Sequence, residues 1–207
     1  MFPSHFFGAT MRRLTRLLPI LATIFLVSGC GIQAIPQAKN DVEAKTANLT
    51  NEYKRRADLV PQLIGAVKGN AAHEKGTLQA VVEARAKATS ITLDPSHASP
   101  EQLKAYQNAQ GGLSQALGRL MMVTENYPNL KANDAFRDLQ SQLEGTENRI
   151  KIARQDLIVS IQGFNNLVTV FPTNLTNSWM YHYEKMAQWD VDEAEKKADE
   201  KAPEVKF

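Results

Sequence analysis

The stretch Leu143–Leu157, LEGTENRIKIARQDL, gathers this chain's best candidates for chemistry, with Glu144 and Glu147 flanking Thr146 and Arg154 close by. Acid–base catalysis asks for a carboxylate whose proton affinity is tuned by its surroundings. A Glu buried on a helical seam without a cation is costly, so it needs a partner from another helix. Arg55, Arg56 and Arg85 are the available cations. The expectation is an ion pair between at least one of them and Glu144 or Glu147. Together the five residues read as a structural polar cluster that sets helix register and pairing, not as a catalytic or ligand site. Glu147 and Lys151 form an i,i+4 pair in the favourable order, worth a few tenths of a kcal/mol when exposed.

Other catalytic patterns are missing. His73-Glu74 opens HEKGT and not H-E-x-x-H, and no Glu-x-x-His pair occurs. Neither a phosphate-binding G-x-x-x-x-G-K-S/T loop nor a G-x-S-x-G elbow is found. His73 and His182 read as surface or interhelix hydrogen-bonding groups. One cysteine, Cys30, rules out an internal disulfide and a Cys-rich metal site. The expectation is therefore a protein with no catalytic residues, no metal and no cofactor. The competing reading is an enzyme of unknown chemistry using the Glu147–Arg cluster in a cleft.

The elements that would position these residues begin with a leader. MRRLTR from Met11 is a positive n-region, and Leu17–Val27 (LLPILATIFLV) is an apolar h-region of signal-peptide length. The run ends in VSGC, which resembles the lipobox of bacterial lipoproteins. That resemblance implies lipidation of Cys30 and a mature chain that starts there. The alternative is an uncleaved single-pass helix over Leu17–Pro36, just long enough to span a bilayer. Met1 and Met11 both remain open as the start. A lipoprotein leader exports the chain beyond Cys30, with Arg12, Arg13 and Arg16 on the cytoplasmic side. Gly31 lacks the Asp that resembles an inner-membrane retention signal, so the outer membrane is favoured where the cell has one, with the inner membrane as the single-pass alternative.

The chain has 207 residues, 43% hydrophobic and 22% charged, enough for one domain with a real core. Its net charge of +2 includes the three leader arginines, so the remainder is close to neutral and gives no electrostatic reason to expect nucleic acid. Residues 30–37 read as a tether. Beyond them Ala44, Ala47, Tyr53, Ala57, Val60, Ile64 and Val67 recur at helical steps. The stripe then continues through Leu78, Val81 and Ala88, so 38–90 is one bent helix or two in sequence. Pro61 is expected to kink or restart it, and Gly69-Asn70 is a second weak point. Ser99, Pro100 and Gln102 predict a capped helix over about 100–126. From Phe136 through Leu143, Thr146, Ile150, Leu157, Ser160, Phe164 and Leu167 to Phe171, a strict heptad seam predicts a long helix over 132–171 that ends at Pro172. The tail 173–207 is aromatic and then charged, with its aromatics docked on the bundle. Long amphipathic helices can bury their stripes only against each other, so the fold class is all-α, a helical bundle with no pocket for chemistry.

Two separated motifs carry a family resemblance. YKRRADLVPQLIGAVKGNAAHE, with EAR at Glu83–Arg85, is similar to the first signature of LemA-family proteins. LEGTENRIKIARQDL, FNNLVTVFPTN and the ending APEVKF match that family's second half in order and spacing. The resemblance covers about 38–207 and implies an antiparallel four-helix bundle, here over 38–172, held at the membrane by its N-terminus. Members usually carry a true transmembrane helix there, where this sequence offers a lipobox. The family has no established reaction, cofactor or catalytic residues, so none is carried over. The functional expectation is a non-catalytic interaction or scaffold protein of the bacterial cell envelope, bound to membrane through its N-terminus and partnered by another envelope protein.

Overall fold

Apolar side chains at three- and four-residue steps produce helices throughout. The computed structural model describes the backbone of residues 7–69, 74–94 and 98–189, and side chains within those ranges from residue 32 onward. The elements are α1 (Phe7–Lys68), α2 (Lys75–Ser90), α3 (Pro100–Thr124), the short α4 (Pro128–Lys131), α5 (Asp134–Thr169) and α6 (Thr173–Thr176), which runs into a π-helical turn over Asn177–Tyr181. No strand occurs among the described residues. The side chains of the leader and of Cys30 lie outside the described set, as do His73 and the charged tail from Asp190. Among the residues whose side chains are described no helix is long and apolar enough to cross a membrane, and the run Leu17–Val27 lies outside that set.

The chain divides into two compact units. One comprises Met1–Asn40 with Gly163–Lys185, the other Asp41–Gln162 with the chain from Met186. In the second unit Leu59, Val60, Leu63 and Val67 of α1 share a core with Leu78 and Val81 of α2, Leu113, Leu117 and Leu120 of α3, Leu130 of α4, and Phe136, Leu139 and Leu143 of α5. Helix α3 starts at the expected capping box. Gln102 N–H donates to Ser99 Oγ at 3.2 Å, and Ser99 N–H donates to Gln102 Oε1 at 2.9 Å.

In the first unit Ile35 and Phe164 are buried. Asn177 staples the turn after α6, accepting from Tyr183 N–H at 3.0 Å and donating to the Tyr183 carbonyl at 2.9 Å. His182, at φ 55°, is in the left-handed conformation that lets the chain reverse there.

Several expectations need correction. Residues 32–37 are not a tether but part of α1, with Ile35 fully buried. Ala44 and Ala47 are exposed, and the buried stripe of α1 reaches the expected Tyr53 through Val42, Thr46 and Leu49 instead. On α5 the heptad seam holds as far as Phe164, with Ile161 buried beside it, then slips by one residue to Val168, leaving Leu167 half-buried and Phe171 exposed. An α-helix falls about 20° behind a strict seven-residue repeat per heptad, so after four or five heptads the buried line moves one position on. Trp189 is buried, but Trp179 is exposed and not docked.

Pro61 does not interrupt α1; the break comes at Gly69. Two features explain this. Pro61 lies on the exposed face, so its ring meets no packed neighbour. Its missing N–H would have bonded the carbonyl of Ala57, four residues earlier, and Ala57 is buried. Arg85 of α2 supplies the replacement, its Nε donating to the Ala57 carbonyl at 2.7 Å. A helix defect is thus converted into an interhelix bond.

Arg85→Ala is expected to cost about 1–3 kcal/mol by stranding that carbonyl. In a Pro61→Ala background, where the N–H is restored, most of the cost should vanish. Urea denaturation of the double-mutant cycle measures this, and an equal loss in both backgrounds would refute the pairing.

Candidate functional site

Arg56 sits on α1 three residues after Tyr53 and four before Val60, which places it on the buried stripe. It is 1% exposed. Its Nη1 donates to Glu147 Oε1 of α5 at 2.8 Å and to Ser114 Oγ of α3 at 2.5 Å. Its Nη2 donates to Gln110 Oε1 at 2.8 Å and to the Gln110 carbonyl at 3.1 Å. The guanidinium also lies over the Tyr53 ring, 5.1 Å from its centroid. Gln110 reaches further: its Nε2 donates at 3.1 Å to the Ala88 carbonyl, one of those left open at the end of α2. A single cluster therefore ties α1, α2, α3 and α5 together.

Beside it lies a cleft of about 640 Å³ between one face of α3 and one face of α5. From α3 it is lined by Gln107, Gly111, Ser114 and Gly118; from α5 by Gln140, Glu144, Glu147 and Lys151. Arg56 and Tyr53 lie at its inner side, and Trp189 closes one flank. Trp189 is held edge-on to Tyr106, with ring centroids 6.1 Å apart, and Tyr106 is edge-on to Tyr53 at 5.8 Å. The cleft exists because this α3 face carries glycine and serine where a core face would carry leucine. A Cβ built on Gly118 meets nothing within 4 Å.

Of the five cluster residues named from the sequence, Arg56 and Glu147 are brought together. Glu144 lines the cleft and accepts from Gln140 Nε2 at 3.0 Å. Arg55 faces solvent, because it stands one position off the stripe. Arg85 is drawn to the Ala57 carbonyl and not to a carboxylate. Gln110 and Ser114 were not foreseen, although Gln110 lies four residues after Tyr106 and three before Leu113, on the buried line. Nor was a further α1–α5 pair, in which Arg149 donates to Glu52 at 2.9 Å and to Thr146 Oγ at 2.8 Å. The cleft itself overturns the expectation of a bundle without a pocket.

Chemically, the walls offer side-chain amides, each both donor and acceptor, with an ammonium, carboxylates and two aromatic rings. Burial pushes the Tyr53 phenol up to about 12, against the opposing pull of Arg154 and Arg56. Burial also raises Tyr106. Both phenols are therefore hydrogen-bonding and packing groups at neutral pH, not bases.

A family model described as the LemA family matches residues 45–207. Magnetosome protein MamQ 1 of Paramagnetospirillum magneticum is 28% identical over 151 residues, 65% of this chain and 56% of its own. Magnetosome protein MamQ of Magnetospirillum gryphiswaldense is 27% identical over 149 residues, 64% and 55% of the two chains. Protein LemA of Metamycoplasma hominis is 23% identical over 164 residues, 76% and 71%. The chain thus spans little more than half the length of the MamQ relatives it matches.

Glu147→Ala should cost about 3 kcal/mol, because it leaves a buried guanidinium short of its counter-charge. Adding Arg56→Met should recover most of that loss, whereas additive losses in urea denaturation would mean the two act independently. The pH dependence has a definite sign. The fold favours the protonated phenol of Tyr53, so its contribution is intact below the ordinary phenol value of about 10 and is lost as pH rises towards about 12. Tyr106 acts in the same direction. Tyr53→Phe should flatten this alkaline loss in unfolding measurements between pH 9 and 12.

Proposed function

The chain belongs to the LemA family, and from that premise we propose that it is a membrane-anchored, non-catalytic envelope protein whose cleft receives an extended polar segment of a partner protein. In this reading the four long helical segments of residues 41–162 form an antiparallel four-helix bundle around Arg56. The N-terminal run Leu17–Val27 holds the chain at a membrane, by lipidated Cys30 or as a single span.

The observation that carries the proposal is the cleft. Its amide-rich walls suit the alternating donors and acceptors of a peptide backbone, and the Trp189 and Tyr53 rings suit side-chain packing. Glu147, the acid nearest to the buried charge, already accepts from Arg56 and Ser114, which favours a fixed binding wall over a proton-transfer role. The names of the MamQ relatives point to a cellular structure, the magnetosome, and not to a reaction. The competing enzyme reading draws on the same cleft, since a carboxylate and a guanidinium stand at its edge.

A photo-crosslinking amino acid at Gln115 or Lys151, both lining the cleft, should capture one specific envelope protein in intact cells. Gly118→Phe, which fills the cleft, should abolish the adduct, and the same probe at Glu83 on α2 should give none. Adducts unaffected by Gly118→Phe would refute the cleft as the binding site.

A further inference from the structure

In the unit formed by the chain up to Asn40 and Gly163–Lys185, apolar side chains accumulate on the surface. Phe171 is 74% exposed, Leu175 61% and Trp179 79%, with Val170 and Met180 beside them in sequence and also exposed. Isolated exposed apolar residues are ordinary, but five large ones within eleven positions form a patch that asks for a partner. Leu175 and Trp179 are four apart on the short helical segment over 173–181, so they share a face.

The segment is firmly held. The Tyr181 hydroxyl donates to the Ile32 carbonyl of α1 at 2.8 Å. Tyr181 stacks on Tyr183, with planes 2° apart and centroids 5.6 Å apart. Tyr183 in turn packs on Phe164 and under the Lys39 ammonium. Asn177 locks the turn from within. The patch therefore has a fixed position relative to residue 32 of α1.

That position identifies the partner. The apolar run of α1 ends at Val27, five residues before Ile32, which is about 8 Å along a helix. The polar headgroup zone of a bilayer is of similar thickness on each side. Cys30, the alternative anchor point, is nearer still. Either way the anchor brings the Tyr181–Ile32 bond to the membrane surface. Trp and Tyr are the side chains that favour that zone, having an apolar ring and a polar handle.

We propose that Phe171, Leu175, Trp179 and Met180 form a second membrane contact, seated in the interfacial zone of the bilayer that holds the N-terminal run. The inference rests on the membrane-anchored reading of the N-terminal run. It adds a contact that fixes how the unit stands on the lipid, where a flexible attachment would leave it free to tumble.

The test uses the full chain in vesicles of phosphatidylethanolamine and phosphatidylglycerol. Trp179 and Trp189 are the two tryptophans, so Trp189→Phe leaves Trp179 as the sole reporter. The expected result is quenching of Trp179 by lipids brominated near the headgroup, with several-fold protection from aqueous acrylamide. Leu175→Asp should remove that protection while the protein still floats with the vesicles. If the protein floats and Trp179 stays as open to acrylamide as free tryptophan, the inference is overturned and the anchor stands. If it does not float, the anchored reading fails first and this one with it. Protection that persists without lipid and rises with protein concentration would assign the patch to self-association, and would also overturn the proposal.

Discussion

Arg56 carries a full positive charge into the interior of the 41–162 unit, and a guanidinium taken out of water must be met by acceptors on several sides. No single neighbouring helix can provide them. Glu147 comes from α5, Ser114 and Gln110 from α3, and Gln110 passes the connection on to the open carbonyl of Ala88 at the end of α2. Each of those helices has one register in which its acceptor reaches the charge. Apolar stripes alone can slide by a turn at modest cost, whereas a slide here strands a buried cation. A hydrophobic residue at position 56 could give equal stability; what it would lose is this common reference point.

The bond between Arg85 and Ala57 obeys the same logic on the backbone. Pro61 deprives one buried carbonyl of its donor, and α2 must lie where Arg85 can replace it. Both devices act on α1 within a few residues of each other, one through a side chain and one through a missing N–H. Together they fix the approach of α2, α3 and α5 to the same short stretch. This is where the run KRR and the proline beyond it acquire their meaning. Lys54 and Arg55 are solvent-facing, Arg56 is the interior charge, and Pro61 is tolerated because its consequence is repaired from outside the helix.

The helices themselves were readable because their signal is additive: many apolar residues at one period, with a capping box at Ser99 and a stop at Pro172. The choice of Arg56 over Arg55 was also available, since only position 56 falls in phase with Tyr53 and Val60. Arg85 was harder. Its partner is a backbone carbonyl defined by a proline on another helix, and charge pairing pointed to carboxylates instead. The seam of α5 drifted because a strict seven-residue count was continued past the length over which a straight helix can follow it. The cleft was the least legible feature. Glycine and serine on α3 announce little in isolation; their effect depends on which face of α5 stands opposite, a pairwise property that one-dimensional periodicity does not contain.

The unequal burial of the central pair links that cleft to the stability of the unit. Arg56 is closed off, while the Glu147 side chain keeps 35% of its exposure on the cleft side. Water in the cleft therefore screens the pair, and anything that displaces the water without competing for Glu147 strengthens it. A cationic ligand would draw Glu147 away from Arg56, and an anionic one would meet Lys151 and Arg154 as well as Glu144 and Glu147, so charge alone does not choose between them. A neutral, amide-bearing segment, the occupant proposed above, would leave the Arg56–Glu147 pair in place and match the glutamines on both walls. A ligand that bound the folded unit and not the unfolded chain would stabilise the fold by mass action. The guanidinium that ties the helices together thus stands, through its half-exposed partner, at the wall of the cleft that the proposed segment would enter.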